Sequence, residues 1–263
     1  MNDQPTILKE IYDQKKIRVE ESKIGFEYGE FVERSKRFRK DETPNRFLKA
    51  FSDRTETNII VEIKRASPSN KTINDSFDIA DLARSCEAFG ATAIAVLTEE
   101  DHFKGKIEDL ITARNLTDLP VLRKDFIFDE FQIYESALIG ADAVLLIAAM
   151  LGDSDLERLY SLSCDLGLDV LVETSNLAEL KRAAELGAKM IGITNRNPNT
   201  FEVSLDVSRE LISHGPKEAL MICEGGLSSV KELNEMKELG FSGFLVGESL
   251  MNSNELQLNL LAG

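Results

Sequence analysis

The chain has 263 residues, 43% of them hydrophobic and 29% charged, with a formal net charge of −15; this suits one closed α/β barrel with a solvated surface and argues against nucleic acid, whose binding rests on clustered Lys and Arg. Two histidines, three dispersed cysteines and the lack of a CxxC pair exclude a multi-histidine metal site and a disulfide framework. No apolar run approaches the roughly 18 residues of a membrane span, and the N-terminus lacks a signal-peptide layout, so a cytoplasmic protein is expected.

Residues 1–57 do not share the pattern of the rest. Ile7–Tyr12 opens a charged amphipathic helix running towards Glu21, and another helix ends at Ala50-Phe51. No low-complexity linker follows, so this segment reads as an extension of the same domain, covering one end of it. Over residues 58–263, short runs rich in Val, Ile and Leu alternate with amphipathic stretches. The runs are 58–64, 92–97, 120–124, 142–147, 169–173, 189–194, 219–224 and 243–246. Each is short enough to be a strand buried on both faces. Between the first two, Ile79, Leu82, Ala83, Cys86 and Phe89 form one helical stripe that stops at Gly90. Gly140, Gly187 and Gly240 end later helices just before strands. Eight such units predict an α/β fold, a single (β/α)8 TIM barrel with an N-terminal helical extension. An open doubly wound sheet is the alternative, but it usually has fewer strands.

In such barrels the site lies at the C-terminal ends of the strands, where a buried charge is costly unless paired or used. Glu62 and Lys64 close the first run, Arg123-Lys124-Asp125 the third and Glu173 the fifth. Thr194-Asn195-Arg196-Asn197 closes the sixth and Glu224 the seventh. One such charge is commonly a structural ion pair; five strands ending this way point to a site. Glu62 and Lys64 have the same parity, so both face the barrel mouth while Ile63 faces the helices. Gly225-Gly226 after the seventh run and Gly247-Glu248-Ser249 after the eighth fall where this fold cradles phosphate on backbone N–H groups and a helix N-terminus. The expected ligand is a small phosphorylated substrate.

Several of these segments, in order, resemble the indole-3-glycerol-phosphate synthase family of tryptophan biosynthesis. Glu62-Ile63-Lys64-Arg65-Ala66-Ser67-Pro68-Ser69 is similar to its most specific signature. Val96-Leu97-Thr98-Glu99, Phe103-Lys104-Gly105, Leu122-Arg123-Lys124-Asp125-Phe126-Ile127, Leu171-Val172-Glu173, Asn195-Arg196-Asn197 and Leu245-Val246-Gly247-Glu248-Ser249 follow. The resemblance implies a carboxy-lyase that needs no cofactor or metal. Its substrate would be 1-(2-carboxyphenylamino)-1-deoxyribulose 5-phosphate, closed onto its own ketone with loss of carbon dioxide and then water. It implies Lys124 as general acid and Glu173 with Lys64 as the acid–base pair of the dehydration. Glu62 and Glu224 would keep the lysines charged and bond the substrate. Phe103, Phe126 and Leu146 would form an apolar wall for the aromatic ring. Ser67, Thr194, Arg196 and Gly225 would contact the substrate, and Gly226, Gly247 and Glu248 the phosphate.

Two positions depart from the family pattern inside the active site: Thr194 stands where an asparagine is usual, and Gly225 where a serine is usual; a smaller difference is Asn70-Lys71, where a lysine and glycine are common. Either a hydroxyl or water replaces the missing contacts, or the chain is a diverged paralogue that binds a related phosphosugar with altered or lost catalysis. Retention of Glu62, Lys64, Lys124, Glu173 and Glu224 favours a working enzyme. The related phosphoribosylanthranilate isomerase chemistry relies on a Cys and an Asp at the first and fifth strand ends, and neither is here. A non-catalytic phosphosugar-binding scaffold would be expected to lose a lysine. The charged N-terminal helices are either a solvated lid or a face for another enzyme of the tryptophan pathway.

Overall fold

A computed structural model describes residues 7–25, 27–51, 57–67, 78–198, 200 and 202–247. The chain opens with α1 (Ile7–Lys23), α2 (Tyr28–Lys40) and the short α3 (Arg46–Ala50). The strands are β1 (Ile59–Ile63), β2 (Ala93–Leu97), β3 (Val121–Lys124), β4 (Ala143–Ile147), β5 (Asp169–Thr174), β6 (Met190–Thr194), β7 (Leu220–Glu224) and β8 (Gly243–Val246). They form one closed parallel barrel in chain order, with β8 paired back to β1. Every strand boundary falls within one residue of the run read from the sequence. The intervening helices are α4 (Ile79–Ala88), α5 (Ile107–Leu116), α6 (Glu130–Leu138), α7 (Asp153–Asp165), α8 (Leu177–Glu185), α9 (Asp206–Leu211) and α10 (Val230–Leu239). Gly90, Gly140, Gly187 and Gly240 adopt positive φ where helices end, the conformation that favours glycine there. No described helix is long and apolar enough to cross a membrane.

Strand alternation divides the apolar core in two. Ile60, Ala93, Ala95, Leu122, Leu145, Leu171, Met190, Ile222 and Leu245 fill the barrel interior. Their neighbours Ile59, Val61, Ile94, Val96, Val144, Val172, Ile191 and Phe244 face the helices. There they meet stripes such as Ile79, Ala83 and Cys86 of α4. Parallel pairing keeps partners on the same face, so Leu145 beside Leu171 points inward and Val144 beside Val170 points outward.

The N-terminal extension covers both ends of the barrel, not the one expected. α1 crosses the C-terminal mouth, where Leu8 and Ile11 line the cavity described below. α2 descends along α6, with Phe31 stacked on Phe131 at a centroid distance of 4.8 Å. This helix is polar in composition, and even its buried residues, Phe31, Ser35 and Arg39, are mostly polar. Arg39 closes the descent by donating to the carbonyls of Leu166 (2.9 Å), Ala141 (3.1 Å) and Gly167 (2.7 Å). α3 then places Phe47 and Phe51 into the floor as members of the interior cluster. Asp169 at the start of β5 accepts the Leu48 N–H at 2.8 Å. Gly243 makes room for this plug, since a Cβ there would lie 2.9 Å from the Phe51 ring.

Phe51 is fully buried, so Phe51→Ala should lower the unfolding free energy by about 3–5 kcal/mol. Urea unfolding followed by circular dichroism measures this; a loss below about 1 kcal/mol would mean the floor is held without its plug.

Candidate active site

A cavity of about 330 Å³ opens at the C-terminal mouth, at the small end of the range for ligand sites. The inward parity of five strands delivers its polar groups: Glu62 and Lys64 from β1, Lys124 from β3, Glu173 from β5, Thr194 from β6 and Glu224 from β7. Lys64 Nζ donates to Glu62. Lys124 Nζ lies 3.3 Å from Glu173 Oε2 and 3.6 Å from Glu224 Oε2. Three carboxylates thus surround two amines on the floor of the cavity.

Burial works against the charge on Lys124, but Glu173, Glu224 and Glu62 outweigh it and hold the amine above its usual range. Burial also opposes ionisation of Glu62; Lys64, Lys124 and Arg196 prevail and hold its carboxyl below the usual range. Glu224 is the reverse case. Burial pushes its carboxyl up to about 8; Lys124 opposes this, while Glu173 and Glu62 reinforce it. Neither Glu224 oxygen has a hydrogen-bond partner among the described residues. Glycines make space for this cluster. A Cβ on Gly192 of β6 would collide with Glu224 Oε1, and a Cβ on Gly247 would lie 2.7 Å from Glu62 Oε2.

The apolar side of the cavity comes from Phe103 and Phe126, with ring centroids 6.0 Å apart. The buried Glu99 carboxylate shapes the loop that presents Phe103. It accepts the N–H groups of Asp101 (2.9 Å), His102 (2.8 Å) and Phe103 (2.8 Å). Leu146, the third expected wall residue, is a correction. It belongs to the outer core, because it pairs with outward Val172 while Ile147 pairs with inward Glu173. Leu145 and Ile147 line the cavity in its place. The register to Glu173 was the available signal. Leu8 and Ile11 of α1 form a roof that strand reasoning missed.

Ser67, Arg196, Gly225 and Gly226 also line the cavity. Thr194 Oγ1 accepts the Arg196 N–H at 3.4 Å, and a Cβ on Gly225 would meet open space. The neighbouring Asn195 faces outward, bonding Gly225 O at 2.9 Å and the Ser208 N–H at 3.1 Å. Arg123, inside the expected polar set, also faces outward. It is fully buried and pairs with Asp125 at 3.1 Å and Glu135 at 2.8 Å. Pro68, Ser69, Glu248 and Ser249 lie outside the described residues. Among the described residues no cluster of three His, Cys, Asp or Glu side chains could hold a metal ion.

The Glu224 environment has a thermodynamic consequence. Below pH 4.5 the carboxyl is protonated whether the chain is folded or not. Between 4.5 and about 8 the folded protein keeps a proton that the unfolded chain releases. Stability attributable to this group therefore falls as pH rises across that window. Glu224→Gln should be more stable than wild type at pH 9, and the difference should vanish near pH 4. Parallel unfolding curves at the two pH values test this, and equal gains at both would contradict it.

A sequence profile for indole-3-glycerol phosphate synthase matches residues 8–261. The indole-3-glycerol phosphate synthase of Polaromonas naphthalenivorans is 46% identical over 197 residues, 75% of each chain. That of Acetivibrio thermocellus is 38% identical over 250 residues, 95% of this chain and 96% of its own. Among solved structures, the N-acetylmannosamine-6-phosphate 2-epimerase of Clostridium perfringens superposes with a TM-score of 0.59 at 19% identity. That match covers 73% of this chain and 86% of the epimerase, and it speaks for the barrel alone. With a full-length profile match and relatives of this identity, the chain belongs to the indole-3-glycerol phosphate synthase family.

Proposed function

We propose that the chain is a cofactor-independent carboxy-lyase. It closes the aromatic ring of 1-(2-carboxyphenylamino)-1-deoxyribulose 5-phosphate onto the ketone and releases carbon dioxide and water. The observation that carries this reading is the convergence of Glu62, Glu173 and Glu224 on Lys124 beneath an apolar cavity. The arrangement keeps one ammonium charged although it is buried.

The ring carbon that bears the carboxylate attacks the ketone carbon. Lys124 gives its proton to the ketone oxygen, where negative charge develops. The bond to the carboxylate then breaks, carbon dioxide leaves, and its electron pair restores the aromatic ring. In the second stage the new hydroxyl departs as water and the adjacent methylene loses a proton. Glu173 takes that proton and Lys64 supplies one to the departing hydroxyl. Glu62 orients the Lys64 amine by accepting its hydrogen bond. Glu224, poised near neutrality, bonds the anilino nitrogen or a substrate hydroxyl as acceptor or donor. Phe103, Phe126 and Ile147 seat the aromatic ring. Ser67, Thr194, Arg196 and Gly225 contact and orient the chain of the sugar, and Gly226, Gly247 and Glu248 hold the phosphate. Residues 1–57 act as an integral part of the barrel 58–263, and the net charge of −15 supports a small-molecule role over nucleic acid.

The test is an indole-fluorescence assay with this substrate in buffer containing EDTA. Wild type should form indole at full rate, and Lys124→Ala should lose at least about 10³-fold in kcat. A well-folded wild type that binds the substrate without turning it over would sink the assignment, and a rate restored by added metal would sink cofactor independence.

A further inference from the structure

Lys15 of α1 is 3% exposed, in a helix whose charges otherwise mostly face water. It shares one face of α1 with Leu8, Ile11 and Val19, at spacings of three and four residues. Its Nζ lies 2.9 Å from Asp125 Oδ2 and 2.9 Å from Glu100 Oε2. Asp125 follows Lys124 directly. Its carboxylate also accepts the Thr98 hydroxyl at 2.7 Å, Arg123 at 3.1 Å and the Phe126 N–H at 2.8 Å. The anchor is therefore tied into β2, β3 and, through the Arg123–Glu135 pair, α6. Two other ion pairs hold α1 to the mouth, Arg18–Asp101 at 2.6 Å and Lys23–Asp129 at 2.8 Å. Both are more exposed, so that water screens them more than the buried Lys15 pair.

We infer that Lys15 is a positioning residue, a buried latch that fixes the register of α1 and so sets Leu8 and Ile11 over the substrate's aromatic ring. A buried ammonium without its carboxylate is strongly destabilising. The helix can therefore neither slide by a turn nor lift without leaving Lys15 unpaired. An apolar residue at this position would favour contact without selecting one register. Sliding α1 by one turn would carry Leu8 and Ile11 about 5.4 Å along the mouth, far enough to remove the roof. This inference rests on the reading of the cavity as the substrate site.

The experiment combines Lys15→Met with Leu8→Ala/Ile11→Ala. Methionine keeps the length of the buried stem, and Asp125 keeps Arg123 and Thr98, so the variant retains its fold. Lys15→Met should raise KM about tenfold and change kcat less than about twofold, since the latch acts on binding. The roof variant should raise KM by a similar factor, and the triple variant little further, as expected for residues acting through one another. An unchanged KM, a fall in kcat alone, or KM factors that multiply would overturn the inference. Amide hydrogen exchange of α1 reads the latch without turnover. Faster exchange over residues 7–23 in Lys15→Met supports it, and unchanged protection overturns it. If wild type binds no substrate, the reading of the cavity fails, and the exchange result alone decides the latch.

Discussion

Each residue on a barrel strand faces either the lumen or the helices, and no side chain escapes that division. The rule separates the apolar core into an interior and an outer cluster. It also sorts the charged strand ends. Glu62, Lys64, Lys124, Glu173 and Glu224 fall on the inward set and meet in one cavity. Arg123, one residue from Lys124, falls on the outward set and is spent on a structural network with Thr98, Asp125 and Glu135. Two neighbouring cations in one strand thus have separate fates: one meets the cavity, the other secures the wall behind it.

The inward cluster is tolerated because its charges nearly balance and the groups stand close enough to compensate for burial. The compensation is uneven. Lys124 and Glu62 are held in their charged forms, while Glu224 is left with a weak pair and no hydrogen bond among the described residues. An unsatisfied buried carboxylate is the feature a fold selected for stability alone would remove. In the reaction proposed above protons are both received and delivered, and a group poised near neutrality has a use there. The glycines at 192 and 247 give these carboxylates room that any side chain would take.

Much of this was legible in the chain. The runs of Val, Ile and Leu located the strands to within a residue, because strands buried on both faces leave continuous apolar runs. The charged strand ends identified the cavity floor, since few other forces keep acids and amines there. What was hidden follows from the same physics. Leu146 was misassigned because, in a run apolar on both faces, composition does not reveal parity; only the register to Glu173 does. α2 was not read from the sequence because it is polar in composition and buries Ser35 and Arg39 beside Phe31. The roof was missed because Leu8 and Ile11 approach the mouth from a helix distant in sequence from every strand they cover.

Phe51 packs beneath Gly243, which joins the beginning of the chain to its last strand. On the ribosome the plug emerges first and its socket is completed last. Until β8 closes against β1 and β7, Phe47 and Phe51 have no complete floor to enter, and α1 has no mouth to cross. Long-range contacts of this kind slow folding and prolong the exposure of apolar surface. The strongly acidic composition then matters before the fold exists, because mutual repulsion keeps waiting chains apart while the barrel is still open.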